Sequence, residues 1–194
     1  MCDDVATGAP HAGGMQLAIT VGIVTPLRKL YRKLSRELAQ SERSALVHTR
    51  RESRRLGDVP PAWALRALGA HAHASKPRLD NVIESRQPIG VLAGRKIGEL
   101  FSLLRHFMFD RLVDTERSYR GTLLGFHHGI AVARLLRDVA ERLDERDMVA
   151  FCDHWLRERR PLLEAAEREM HWFAEMPKQA MKSGLRIAFQ PAPE

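Results

Sequence analysis

The chain has 194 residues, enough for one domain with a full hydrophobic core. Hydrophobic residues make up 44% and charged residues 28%, a balance that excludes an intrinsically disordered chain. The net charge of +7 favours contact with anionic partners, and the two cysteines, Cys2 and Cys152, provide neither a disulfide framework nor a zinc-ligand spacing. We therefore expect a single globular domain in the reducing cytoplasm.

Residues 1–24 are predicted to form a loosely held N-terminal arm. They include one continuous apolar run, residues 15–24, which is too short to cross a bilayer and has no basic region before it. We interpret this run as a short strand-like or packing segment. The cysteine in the helical region, Cys152, shares an apolar face with Trp155 and Leu156, which predicts a plain buried thiol.

The first predicted helix covers residues 25–56 and carries most of the positive charge. Thr25 and Pro26 resemble an N-cap and a first helical position, and Gly57 provides the stop. The segment has ten Lys or Arg and three Glu, a net charge of 10 − 3 = +7. It predicts either a solvated helix face or a scaffold that docks nucleic acid or an acidic protein through a basic surface: Arg28, Lys29, Arg32, Lys33, Arg36, Arg50, Arg51, Arg54 and Arg55.

Four further helices are predicted from apolar spacings of three and four residues. Pro77 and Pro161 lie inside two of them and are expected to bend or divide them, whereas Pro177 is expected to stop the last one. A break or strong bend near residue 114 separates the third helix from the fourth. The predicted helices cover residues 61–85, 95–113, 115–143 and 147–174, and residues 178–194 form a tail.

These elements predict an all-α fold, because no segment of useful length alternates as a strand does. Helices of about 20–30 residues with short connections indicate an antiparallel four-helix bundle. One extra shorter helix, or a bent helix pair, accompanies the four. The bundle domain is expected to cover residues 25–177.

Glu116 is the leading candidate for a functional side chain, because it begins a row that is otherwise apolar or aromatic. A carboxylate removed from water requires a cation, a metal or hydrogen-bond donors. The alternative is a carboxylate in the first helical turn, where the helix dipole stabilises it. The row that it begins continues with Tyr119, Leu123, Phe126, Ile130, Ala133, Leu136, Ala140 and Leu143.

Carboxylates and imidazoles also fall on the inner faces of other predicted helices. Glu37, His71 and Glu158, together with Glu116, form a mixture that suits iron or manganese. Two of them have a structural alternative: an ion pair for Glu158, which lies among arginines, and a hydrogen-bonded core residue for His71. Further candidates for buried polar residues are His48, Glu52 and His127. No nucleophile triad, phosphate loop, CxxC or HExxH motif is present.

Three segments resemble the small bacterial ferritin-like proteins of the YciE/YciF type. They are Leu30-Tyr31 in the first helix, residues 65–71 (LRALGAH) in the second, and residues 116–123 (ERSYRGTL) in the fourth, with Glu158 near the position of a late glutamate cluster. The resemblance covers about residues 25–174. It implies a ferritin-like bundle that can hold a di-metal centre and that is often discussed in connection with stress.

The chain departs from the family pattern at metal-ligand positions. Leu34, Ala70 and Val113 stand where the resemblance implies acidic residues. The leading hypothesis is therefore a ferritin-like bundle with a degenerate metal site, acting as a non-catalytic binding or stress-associated structural protein that self-associates. A di-iron or di-manganese oxidase or peroxide-handling metalloprotein is the first alternative, and the basic scaffold is the second.

Overall fold

The computed structural model describes residues 13–85 and 114–182, with side-chain environments for 25–85 and 114–182. These residues form six helices and no strand, which confirms the all-α prediction for this part of the chain. The predicted helix 95–113 lies outside the described residues, as do residues 1–12 and the tail from 183. The helices are α1 (Gly13–Leu56), α2 (Pro60–Glu84), α3 (Thr115–Arg142), α4 (Arg146–Arg168), α5 (His171–Glu175) and α6 (Pro177–Ala180).

The first helix begins earlier than predicted, at Gly13 rather than at Thr25. The strand-like interpretation of residues 15–24 is wrong, and Pro26 lies inside the helix. A short apolar run does not distinguish strand from helix by periodicity, and here the longer helix that follows determines the outcome. Gly57 ends α1 as predicted, with a φ of +83° that glycine adopts without steric cost.

Most of the other boundaries lie within one residue of the predicted ones. The fourth predicted helix, residues 115–143, is observed as Thr115–Arg142. Neither Pro77 nor Pro161 divides its helix, since α2 and α4 continue past them. The last predicted helix ends sooner than expected, at Arg168, and the short helices α5 and α6 follow it.

The four long helices pack in a closed ring. Helix α1 contacts α2 and α3, and α4 contacts the same two helices from the opposite side. The short turn between Leu56 and Pro60 makes α1 and α2 an antiparallel hairpin. Glu37 pairs with His128, farther along α3, whereas Arg55 at the end of α1 and Thr115 at the start of α3 both donate to the Lys182 carbonyl, so α1 is antiparallel to α3 as well. Helices α2 and α3, which are consecutive in the described chain, therefore run in the same direction.

The core between these helices consists mainly of leucine and alanine, with a few large side chains. Tyr119 and Trp155 are nearly inaccessible to solvent, and the Tyr119 hydroxyl donates a hydrogen bond of 2.8 Å to the Ala166 carbonyl. Cys152 is buried as predicted, and burial raises the pKa of its thiol to about 12, which keeps the thiol protonated. Among the described helices, none combines the length and apolar character that a membrane span requires.

Candidate functional site

A fully buried guanidinium, that of Arg159, lies between the four long helices. Arg159 is on the face of α4 that also carries Trp155 and Leu163, so helical spacing directs it into the core. Its exposed fraction is 0%. Because an isolated buried charge is very costly, the neighbours of this side chain determine whether the bundle is stable.

Glu42 provides the countercharge from α1. Its carboxylate, 1% exposed, accepts hydrogen bonds from Nη2 of Arg159 at 2.9 Å (Oε1) and 2.8 Å (Oε2). The Ser75 hydroxyl on α2 donates a third hydrogen bond, of 2.6 Å, to Oε2. The buried carboxylate thus receives both a cation and a neutral donor, as a desolvated ion pair requires.

The imidazole of His71, one helical turn before Ser75, accepts the next hydrogen bond. Nε of Arg159 donates to Nδ1 of His71 at 2.9 Å. An arginine N–H can only donate, so Nδ1 carries no proton and the neutral ring holds its proton on Nε2. That nitrogen lies 3.2 Å from Oε2 of Glu158.

Burial, followed by the charge of Arg159, lowers the pKa of His71 to about 4, although Glu158 opposes the shift. Burial also lowers the pKa of Arg159, while Glu42 counteracts this change. The guanidinium nevertheless stays charged at neutral pH because an arginine starts from such a high pKa. The site is therefore an ion pair with a neutral histidine beside it.

Aromatic rings enclose the rest of the guanidinium. Its central carbon lies 5.1 Å from the ring centroid of Phe126 on α3 and 4.7 Å from that of Trp155, within the range of cation–π attraction. Within the described residues, Nη1 of Arg159 and Nε1 of Trp155 have no hydrogen-bond partner. Arg159 therefore contacts side chains of all four long helices, and we call Glu42, His71, Ser75 and Arg159 the core polar cluster.

Glu116, the leading candidate from the sequence, lies at the edge of the bundle instead of in this cluster. Its side chain is 33% exposed and accepts hydrogen bonds from Nε and Nη2 of Arg120, at 2.7 and 3.1 Å. Two donors one turn along the same helix satisfy the carboxylate at the surface. Its placement matches the alternative of a first-turn carboxylate more closely than that of a buried ligand.

Of the other predicted metal ligands, the structure brings His71 and Glu158 together and separates Glu37 from them. Glu158 is half exposed and lies between His71 and His154, whereas Glu37 is one-third exposed and pairs with His128 at 3.0 Å on the other side of the molecule. Within the described residues, no three His, Cys, Asp or Glu side chains converge closely enough to hold a metal ion. The residues present do not fit a di-metal centre, because the buried position shared by the four helices holds a guanidinium.

The remaining polar candidates divide between core and surface. Glu52 is buried as expected, and His48 is half-buried beside a small groove between α1 and α3. The expectation that His127 is buried is wrong, since its side chain is half exposed and its Nε2 lies 2.6 Å from Oε1 of Glu167. The Glu167 carboxylate pairs with the imidazole of His127 at the surface, so this histidine has a polar partner outside the core.

Seven of the nine predicted basic surface residues are exposed, and the other two are partly buried. Arg51 and Arg55 turn towards the buried carboxylate of Glu52, at 3.7 and 3.5 Å. The attraction of a desolvated carboxylate explains why these two arginines are less exposed than the other seven. The exposed seven are Arg28, Lys29, Arg32, Lys33, Arg36, Arg50 and Arg54.

Sequence reasoning missed both members of the buried ion pair. Glu42 lies four residues after Leu38 and three before Ala45, and Arg159 lies four residues after Trp155 and four before Leu163. Each of these spacings belongs to an apolar helix face. Two opposite charges on such faces of different helices were the available signal, but the interpretation selected Glu158, one residue away.

Comparisons with family models, curated proteins and solved structures found no match to this chain.

Proposed function

We propose that this protein is a ferritin-like helical bundle in which an internal guanidinium replaces the metal centre, and that it acts as a non-catalytic binding or structural protein. The arrangement of the long helices supports the proposal. Helices α1 and α2 form one antiparallel pair, and α3 and α4 form the other, with Tyr119 against Ala166 and Arg137 against Asp153. The chain joins the two pairs between α2 and α3, which run in the same direction. One long connection of this kind is a feature of ferritin-like bundles.

The observation that carries the proposal is the position of Arg159. The Glu42 carboxylate and the His71 imidazole, from two other helices, converge on its guanidinium, as such groups do around a bound cation. The Ser75 hydroxyl in turn donates to that carboxylate. A metal ion at the same place would meet a fixed positive charge within a few ångströms, and in a low-dielectric core this repulsion is large. Arg159 therefore provides the central cation that neutralises Glu42.

The stress association and self-association belong to the same proposal, and they derive from the family resemblance. Exposed large apolar side chains offer a surface for self-association, since Leu124 on α3 is 70% exposed and Val47 on α1 is 58% exposed. We expect Leu124→Glu to lower the molar mass measured by light scattering after gel filtration. A mass that stays that of one chain for both proteins would remove self-association from the proposal.

Metal content tests the main proposal directly. The purified full chain is loaded anaerobically with ferrous iron, and separately with manganese, then desalted and measured by elemental mass spectrometry. We expect no stoichiometric metal. About two ions per chain, lost in Glu116→Ala and Glu158→Ala, would instead support the di-iron or di-manganese metalloprotein.

A further inference from the structure

Helix α1 presents an exposed row of basic side chains along about 39 Å of its length, from Arg28 to Arg54 at 1.5 Å per residue. We call this row the basic face. All its members are exposed, and none forms an ion pair with a described carboxylate. They are Arg28, Lys29, Arg32, Lys33, Arg36, Arg43, Arg50 and Arg54.

The folded protein exposes more positive charge on this helix than its sequence suggests. All three glutamates of residues 25–56 turn away from the basic face: Glu42 binds the core guanidinium, Glu52 is buried, and Glu37 pairs with His128. The carboxylates that would neutralise the helix in an extended chain are therefore occupied elsewhere.

The basic residues also lie on one side of the helix. Lys29, Arg36, Arg43 and Arg50 recur every seven residues, and two helical turns of 3.6 residues return to nearly the same direction. Successive members are about 10.5 Å apart along the axis. The row is thus a straight array of separated charges.

The composition of the face favours phosphate as the binding group. Six of its eight members are arginines, whose planar guanidinium groups bind phosphate oxygens in pairs. No aromatic residue accompanies them, so base stacking is not supported. Within residues 25–56 of this helix, where side-chain environments are described, Val47 is the one large exposed apolar side chain, so this stretch offers little for insertion into a membrane surface.

We infer that the basic face of α1 binds the phosphate backbone of double-stranded nucleic acid without reading its sequence. A row of about 39 Å matches roughly one turn of duplex, which carries one negative charge per ~1.7 Å of axis. This inference does not depend on the identity of the cation in the bundle core, because it uses only the outer face of α1.

The test uses the full chain and two fluorescein-labelled 20-base-pair DNA duplexes of unrelated sequence, measured by fluorescence anisotropy at several salt concentrations. The variant replaces three members of the basic face, Arg36→Gln, Arg43→Gln and Arg50→Gln. The matched control removes the same charge from exposed arginines on other helices, as Arg134→Gln, Arg142→Gln and Arg157→Gln. Circular dichroism verifies that both variants fold.

We expect both duplexes to bind equally well to the unmodified protein. The α1 variant should bind at least ~10-fold more weakly at low salt, with a salt slope smaller by about 2.7, which is 0.9 for each of three lost phosphate contacts. The control variant should change affinity less than about threefold. Equal losses in the two variants would show that net charge alone is responsible and would overturn the assignment to α1.

Two further measurements distinguish nucleic acid from other polyanions. Vesicles containing phosphatidylglycerol represent an anionic membrane, and polyglutamate at the same charge concentration represents an acidic protein. We expect neither to compete with the duplex as well as unlabelled duplex does. Equal competition by polyglutamate, binding to vesicles with none to DNA, or no DNA binding at low salt would each overturn the inference.

Discussion

Replacing Glu42 with glutamine removes the countercharge of Arg159 while keeping the size of the side chain. The amide retains one oxygen acceptor in place of the two that Nη2 of Arg159 now contacts at 2.9 and 2.8 Å. Since Arg159 is 0% exposed, water does not replace the lost carboxylate. Removing one partner of a buried pair costs about 3–5 kcal/mol, a large share of the ~5–15 kcal/mol by which a domain is stable.

The assay is urea unfolding at pH 7, followed by circular dichroism at 222 nm. Glu37→Gln is the matched control on the same helix, because its side chain is one-third exposed and its partner, His128, lies at the surface. An exposed pair of this kind contributes about 0–1 kcal/mol. A loss below about 1 kcal/mol for Glu42→Gln would refute the reasoning, since the buried arginine would then not depend on this carboxylate.

A double variant distinguishes the energy of the interaction between Glu42 and Arg159 from the cost of disturbing the packing around them. Glu42→Leu combined with Arg159→Met removes both charges together and leaves no unpaired ion in the core. We expect it to be destabilised by much less than the sum of the single variants, because much of each single loss is the cost of the charge left behind. Additive losses would mean that the two side chains do not stabilise each other.

Four other substitutions test the rest of the structure. Because the pKa of His71 is about 4 in the folded protein and 6.5 in the unfolded chain, the unfolded state binds more protons between these values. The free energy of unfolding should therefore fall by up to ~3 kcal/mol as the pH drops from about 6.5 to 4, and His71→Gln should flatten this dependence in urea titrations. Gly69→Ala should destabilise the fold by about 1–3 kcal/mol, because the added Cβ would lie 2.5 Å from the Thr49 hydroxyl. Gly125→Ala has open space among the described residues and should stabilise the fold by ~0.5–1 kcal/mol in the same assay. Glu116→Gln should leave the urea midpoint unchanged, and a fall as large as that of the buried carboxylate variant would contradict its surface placement.

The helical character and several helix boundaries follow from the sequence alone. Gly57 and the Pro60–Pro61 pair define the end of α1 and the start of α2, and the apolar spacing from Thr115 predicts α3 to within one residue. These features depend on local backbone preferences, which act within a few residues. The start of α1 was missed because the apolar run before Thr25 is compatible with either strand or helix.

The sequence did not determine which polar residue of each helix enters the core. One residue corresponds to a rotation of about 100°, and the buried arc of a helix is about that wide, so Glu158 and Arg159 both fit the periodic pattern. In the folded bundle Arg159 is the residue that is buried, because Glu42 of α1 lies beside it in the core and carries the opposite charge. The reason is that the energy of a buried charge depends on its partner, and 117 residues of sequence separate these two side chains.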